Sequence, residues 1–407
     1  MHFLNSLPIA VVLSLLPFAP LSKAQTNDNS TSNTFFQEFS TFLNDSGYTS
    51  FSSALAQANQ TQSGQQLLSQ LSEGNENFTL FAPTNQAFSS VPGNISGNQT
   101  LLSEYLSYHF IHGDLRNATA GGNSTGGGGD GAQLESAVFP NITIGRSLLN
   151  SSDLVQLEGN KSQVLAWTRN GPDGNVTILN QINNITVSNS SQWRNFFVAE
   201  VNVVFTPPGN VSTALTAVND TQLLSFAQQV QVPLQDGSNG TAVALLGQAR
   251  GFTLFAPDSQ VFTSDVNATI QQLQNNQSAA ISFFQNLYVN GSTIYSPTLT
   301  SLAVNASSGS SNQTIISAGG EPFTFSFNDT GLYVNNGNGS SVRIIRPDVL
   351  VENGVIHLID NILFNTGSEP SAASSAFASA SAAATETATD TQAIGVFPIP
   401  APTPTSG

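Results

Sequence analysis

No cysteine occurs among the 407 residues. That excludes a disulfide scaffold, thiol nucleophiles and thiolate metal sites, although not secretion, because only small domains depend on disulfides. Charge is scarce as well: 8% of residues carry it, with 9 Lys and Arg against 25 Asp and Glu, for a formal net charge of −16. With so little positive charge, neither nucleic acid nor an anionic membrane surface is an expected partner. Histidine is rarer still, at 4 residues, which narrows the choice of general bases. Long apolar runs are missing too. The one candidate, Leu7 to Leu16, is too short to cross a bilayer and leads into Ser22-Lys23-Ala24, a small-x-small cleavage pattern before Gln25. Residues 1–24 therefore read as a secretory signal peptide, though its basic start is weak, with only His2 near Met1.

Solubility in so uncharged a chain has to come from elsewhere. There are 24 Asn-x-Ser/Thr sequons after the signal, among them Asn77, Asn94, Asn141, Asn184, Asn210, Asn267, Asn305 and Asn338. Their density fits a heavily glycosylated extracellular surface.

The strongest internal signal is a repeat. Phe78-Thr79-Leu80-Phe81-Ala82-Pro83-Thr84-Asn85-Gln86-Ala87-Phe88 returns as Phe252-Thr253-Leu254-Phe255-Ala256-Pro257-Asp258-Ser259-Gln260-Val261-Phe262, with 8 of 11 positions identical and a period of 174 residues. That period matches a whole domain and not a solenoid unit, so two tandem copies of one fold are expected. Each copy should run as a buried apolar strand, a proline stop and a helix capped by Thr84 or Asp258.

Around these boxes the chain divides consistently. Residues 25–33 are polar and read as disordered. Phe35, Phe36, Phe39, Phe42 and Leu43 recur at helical spacing, as do Leu67, Leu68 and Leu71, and Leu101 to Phe110 forms a further helix closed by Gly113. The glycine-rich segment 117–131 reads as a loop; without a preceding strand, a following helix or a Lys it makes a poor phosphate cradle. β-Branched segments at Val138 to Ile144, Val164 to Trp167, Val176 to Ile185 and Phe196 to Phe205 read as strands, and Pro207-Pro208-Gly209 as a boundary. The second copy repeats the order, ending in Val342 to Val351 and Val355 to Phe364 around Asn353-Gly354, a hairpin signal. Helices early and strands late predict an α+β fold. After Asn365 the composition falls to Ser, Ala, Thr and Pro, which predicts a disordered, O-glycosylated tail over 366–407. Small residues at Ser371 to Ala384 suit a lipid-anchor attachment site, but the prolines after Ala393 interrupt the apolar tail it needs, so a membrane association through such an anchor is not expected.

FTLFAPTNQAF, the Tyr108-His109 pair and Asn353-Gly354-Val355-Ile356-His357-Leu358-Ile359-Asp360 together resemble the fasciclin domain, a module of extracellular adhesion and matrix proteins. Two copies would cover about 34–206 and 211–365. The resemblance implies a β-sheet wedge packed with several helices, no catalysis and no cofactor, and partners among matrix or cell-wall polysaccharides or proteins. The copies depart from the pattern in complementary ways. Copy one has Phe196 and Ala199 where Gly354 and His357 stand, and copy two has Tyr288-Val289 where Tyr-His is expected. In animal relatives an Asp-aliphatic pair before the closing box and the Tyr-His region are linked to integrin binding. Asp348-Val349 is similar to the first, so Tyr108, His109, Asp348, Val349 and His357 are the candidate binding residues; a plain turn at Pro347-Asp348 is the simpler reading.

Chemistry has few groups to work with. His109, His112 and Asp114 would share a helical face as a small metal site, yet no third strong ligand lies in the motif, and a packed helix-end His109 is the simpler reading. His357 with Asp360 and a serine would make a triad, but the flanking aliphatics suit a core histidine. No Gly-x-Ser-x-Gly occurs, and the acids form no local pair of the kind glycosidases use. The expected role is a secreted, non-enzymatic adhesion or wall-organising glycoprotein. A soluble binding module for a small apolar or sugar ligand, and an endomembrane or vacuolar protein, are the alternatives.

Overall fold

The computed structural model describes residues 28–74, 76–117, 133–134, 136–171, 174–181, 185–234, 237–307 and 314–386. The signal segment, most of the glycine-rich loop and residues 387–407 lie outside them.

Each copy is built around its repeated strand. Phe78–Pro83 pairs in parallel with Phe196–Val201 and antiparallel with Phe110–His112, inside a seven-stranded sheet. Phe252–Pro257 does the same with Gly354–Ile359 and Tyr288–Asn290. A strand flanked on both edges and covered on both faces needs apolar side chains in both directions, which is what FTLFAP supplies. In the first copy Phe78, Leu80 and Ala82 face the helical layer with Phe39, Leu55 and Leu106, while Phe81 faces Trp167, Tyr108 and Phe205. The box then turns into a short helix as expected: Thr84 caps it by accepting from the Ala87 amide at 3.4 Å, and Asp258 caps its counterpart from Gln260 at 2.9 Å.

The one polar residue inside the repeated strand has the same job twice. Thr79 Oγ1 donates to the Gly113 carbonyl at 3.0 Å and accepts from the Leu115 amide at 3.1 Å. Thr253 Oγ1 donates to Ser292 at 2.9 Å and accepts from Ile294 at 2.8 Å. Both threonines are fully buried, so each hydroxyl satisfies the two backbone groups left unpaired where the chain bends after the antiparallel edge strand.

The α+β reading holds, and the hairpin at Glu352-Asn353 forms, with Val351 opposite Gly354. Four expectations need correction. Val138 to Ile144 is not one strand: a tight turn occupies Phe139-Pro140, and the strand is Thr143–Arg146. The first helix starts at Asp28, within the stretch expected to be disordered. Helix Gln99–Ser107 stops before His109, and Phe110–His112 is a strand, so His109 and His112 share no helical face. Most notably, Pro370–Glu386 in the tail is a helix. Its alanines favour helix intrinsically, and it lies across both domains. A Cβ on Gly159 would come within 2.4 Å of the Ala384 carbonyl oxygen, and one on Gly291 within 3.0 Å of the Phe377 ring. Both glycines have φ above +60°, where other residues are strained.

The duplicated clamp gives a direct expectation. Thr79→Val and Thr253→Val each leave a backbone N–H and a backbone C=O of the bend without their hydroxyl partner, and each should cost its own domain about 1–3 kcal/mol in denaturant unfolding. A neutral result for either would remove its clamp role.

Candidate functional site

All five candidate binding residues lie inside the protein: Tyr108, His109, Asp348 and His357 are 0% exposed and Val349 4%. In this conformation none offers a side chain to a partner.

Each domain encloses one histidine whose ring nitrogens are both used by backbone. His109 Nδ1 donates to the Phe81 carbonyl at 2.8 Å, and its Nε2 accepts from the Phe205 amide at 2.9 Å. The ring stacks on Phe205 with centroids 4.4 Å apart. Burial lowers its pKa to about 3, against a smaller raising effect of the Phe81 bond. His357 mirrors this with the opposite tautomer: Nε2 donates to the Ile294 carbonyl at 2.9 Å and Nδ1 accepts from the Asp348 amide at 3.2 Å. Its pKa is also lowered, first by burial, with the Asp348 charge opposing. Neither ring has a nitrogen left for a metal or a substrate.

Asp348 sits in a bulge of strand Ser341–Val351 and not in a turn, where the register shifts between Arg346 and Val349 and its φ is +56°. The bulge turns its carboxylate inward, to accept from the Ser296 amide at 2.8 Å and from the Ser296 hydroxyl. Burial pushes the Asp348 pKa up, against smaller lowering effects of His357 and Ser296. Ser296, Asp348 and His357 are thus neighbours, but the serine hydroxyl bonds the aspartate and not the imidazole, so no base is placed to activate it. Asp360 takes no part: it accepts from the Arg343 amide at 2.9 Å and pairs with the Arg343 side chain at 3.5 Å. His112 pairs with Glu76 at 3.2 Å, and among the described residues no group of three His, Asp or Glu is arranged to hold a metal ion.

The register also corrects the comparison of the two copies. Phe110 and Tyr288 hold equivalent places opposite Leu80 and Leu254, so the positions matching Tyr108-His109 are Asn286-Leu287 and not Tyr288-Val289. The Tyr108 hydroxyl donates to the Val164 carbonyl at 2.9 Å. Asn286 instead donates to Gly367 at 2.8 Å and accepts from the Ser317 hydroxyl at 2.7 Å, so it secures the chain leaving the second domain.

What the residues near Asp348 and His357 build is an interface between the domains. Asn180 donates to the Asp348 carbonyl at 2.7 Å and accepts from the Leu350 amide at 3.3 Å, acting as a one-residue extension of the second domain's strand. Gln163 donates to Val351 at 3.1 Å, the Gln156 amide donates to Glu352 at 2.7 Å, and Thr293 donates to Glu158 at 2.7 Å. Between them lies an apolar patch of Ile142, Ile144, Val164 and Ala166 from one domain and Tyr295, Leu350 and Val355 from the other. Beside it opens a cavity of about 330 Å³, lined by Phe139, Asn141 and Ile142 on one side and Ser296, Arg343 and Ile345 on the other. Asn180, Gln163 and Asn286 carry no motif; only their partners, far away in sequence, give them roles.

Two outcomes follow. Asn180→Ala strands the Leu350 amide and should cost about 1–3 kcal/mol, read as earlier melting of the second domain by calorimetry. For His109 the unfolded chain binds a proton near pH 6.5 that the folded ring refuses until about 3, so its contribution is complete above 6.5 and is lost as pH falls toward 3. Thermal melts across that window should fall with acid by up to about 1.4 kcal/mol per pH unit for this group, and His109→Gln should flatten the slope.

Among solved structures, a FAS1 domain pair from the insect cell adhesion molecule Fasciclin I aligns at 15% identity and a TM-score of 0.33, over 83% of this chain and 98% of that one. No curated protein matches the chain. The profile of the Fasciclin domain matches it twice, over residues 46–182 and 210–365. With most of its length inside those two matches, the chain belongs to the Fasciclin domain family and carries two copies in tandem.

Proposed function

We propose that this is a secreted, non-enzymatic adhesion glycoprotein that presents two fasciclin domains, held as one body, to a matrix or cell-wall polysaccharide or protein. The Fasciclin domain family is known for adhesion-related roles. The observation that carries the secreted, glycosylated part is the sorting of asparagines. Every sequon asparagine whose exposure is described is exposed or half-buried, including Asn77, Asn94, Asn210, Asn305 and Asn338 in the open and Asn141 and Asn267 half-buried, while Asn184 lies outside the described residues. The buried asparagines, Asn286, Asn336, Asn353 and Asn365, all lie outside sequons. A chain that is glycosylated before it folds must keep every modifiable asparagine out of its core.

On this reading Tyr108, His109, Asp348, Val349 and His357 support the scaffold from within, and the partner meets the outer surface and its sugars. The low charge and the scarcity of Lys and Arg favour a neutral partner, bound through hydrogen bonds and apolar contact, over an anionic one.

Deletion of the gene should reduce surface adhesion or wall-stress tolerance, and a tagged copy should fractionate with the medium or the wall. Unchanged adhesion together with a tag retained in vacuolar or other internal membranes would overturn the proposal.

A further inference from the structure

Phe139 is 59% exposed, the most open large apolar side chain among the described residues. It stands two residues before Asn141, and Asn141-Ile142-Thr143 is a sequon. A tight turn joins the two: the Asn141 amide donates to the Val138 carbonyl at 3.0 Å, and the Asn141 carbonyl accepts from the Thr168 hydroxyl at 2.7 Å. With its backbone fixed at both groups, Asn141 lines the cavity between the domains, and Phe139 lines the same cavity. No hydrogen bond to the Asn141 side chain occurs among the described residues.

We infer that Asn141 is an N-glycosylation site whose first N-acetylglucosamine packs on Phe139 and fills this cavity, so that the sugar becomes part of the interface between the two domains. The inference rests on the secreted reading above. A pyranose ring has one face lined with C–H groups, which meets the electron-rich face of an aromatic ring favourably, and covering Phe139 removes apolar surface from water. The cavity, at about 330 Å³, falls in the range of small-ligand sites. Its opposite wall offers Ile345, itself 37% exposed, for the N-acetyl methyl, and Ser296, Thr330 and Arg343 for the sugar's polar groups.

Two other sequons have an aromatic residue two positions earlier, Phe42 before Asn44 and Tyr288 before Asn290. Their rings are already committed. Phe42 stacks on Trp193 at 5.4 Å, and Tyr288 packs on Phe284 at 5.7 Å. Among the described residues Phe139 has no such ring partner and keeps its face for the sugar. Because Asn141 belongs to the first domain while Ile345 and Arg343 belong to the second, the sugar would join the two as Asn180 does.

The test uses the full chain secreted from a eukaryotic host, as wild type, Phe139→Ala, Asn141→Gln and the double variant. Thr143 is left alone because its buried hydroxyl accepts from the Ala137 amide at 2.8 Å. Glycopeptide mass spectrometry should find N-acetylhexosamine on Asn141. After endoglycosidase trimming to a single N-acetylglucosamine per site, Phe139→Ala should lower the melting temperature by about 2–4 °C, and by under about 1 °C when Asn141→Gln is also present. Asn141 bare while Asn77 and Asn210 carry sugar would overturn this inference alone. A chain bare at every sequon would overturn it and the secreted reading together. An equal shift in both backgrounds would overturn the packing of sugar on Phe139.

Discussion

The parallel pairing of the repeated strand with the closing strand is the constraint on which each domain depends. Phe78–Pro83 and Phe196–Val201 meet only after the intervening strands and helices have been threaded between them, and the same holds for Phe252–Pro257 and Gly354–Ile359. A parallel pair has no tight turn to set its register, so side chains must do it. Alternate residues of the box satisfy two different cores, and a one-residue slip would exchange Leu80 with Phe81 across the sheet. Thr79 and Thr253 then bind the bend beyond the antiparallel neighbour, which ties that neighbour of each box strand to one buried hydroxyl.

A second requirement of the fold is met differently in the two copies. The sheet leaves backbone groups beside the box strand that regular pairing does not reach. In the first domain His109, at the end of the helix, pairs the Phe81 carbonyl and the Phe205 amide; in the second His357, on the closing strand in the place of Ala199, pairs the Ile294 carbonyl and the Asp348 amide. Both rings are held neutral because each has one nitrogen donating and one accepting, and burial penalises the charged form. The two domains therefore carry one structural histidine each, at different positions and on different backbone groups, so neither stands in for the other.

The interface follows from the Asp348 bulge. By breaking the register of strand Ser341–Val351, it buries a carboxylate against Ser296 and turns the Asp348 carbonyl and Leu350 amide toward Asn180 of the other domain. A feature that resembles an exposed recognition loop in sequence is, in three dimensions, where the two domains are joined. The tail helix reinforces the join over Gly159 and Gly291, and the sugar inferred at Asn141 would do so at the cavity beside the apolar patch.

The duplicated box, its strand-to-helix turn, most of the helical periodicity and the Glu352-Asn353 hairpin are local patterns, each expressed within a dozen residues, and the sequence alone determined them. Only the tertiary structure decided which residues of the two copies correspond, because Asn286-Leu287 matches Tyr108-His109 through strand register and not through letters. It also decided that Asp348 and His357 face inward, that Asn180 and Gln163 have partners in another domain, and that an alanine-rich tail finds a surface to fold upon. These outcomes depend on contacts between residues distant in the chain, and composition and spacing carry no trace of a partner until the chain has brought it near.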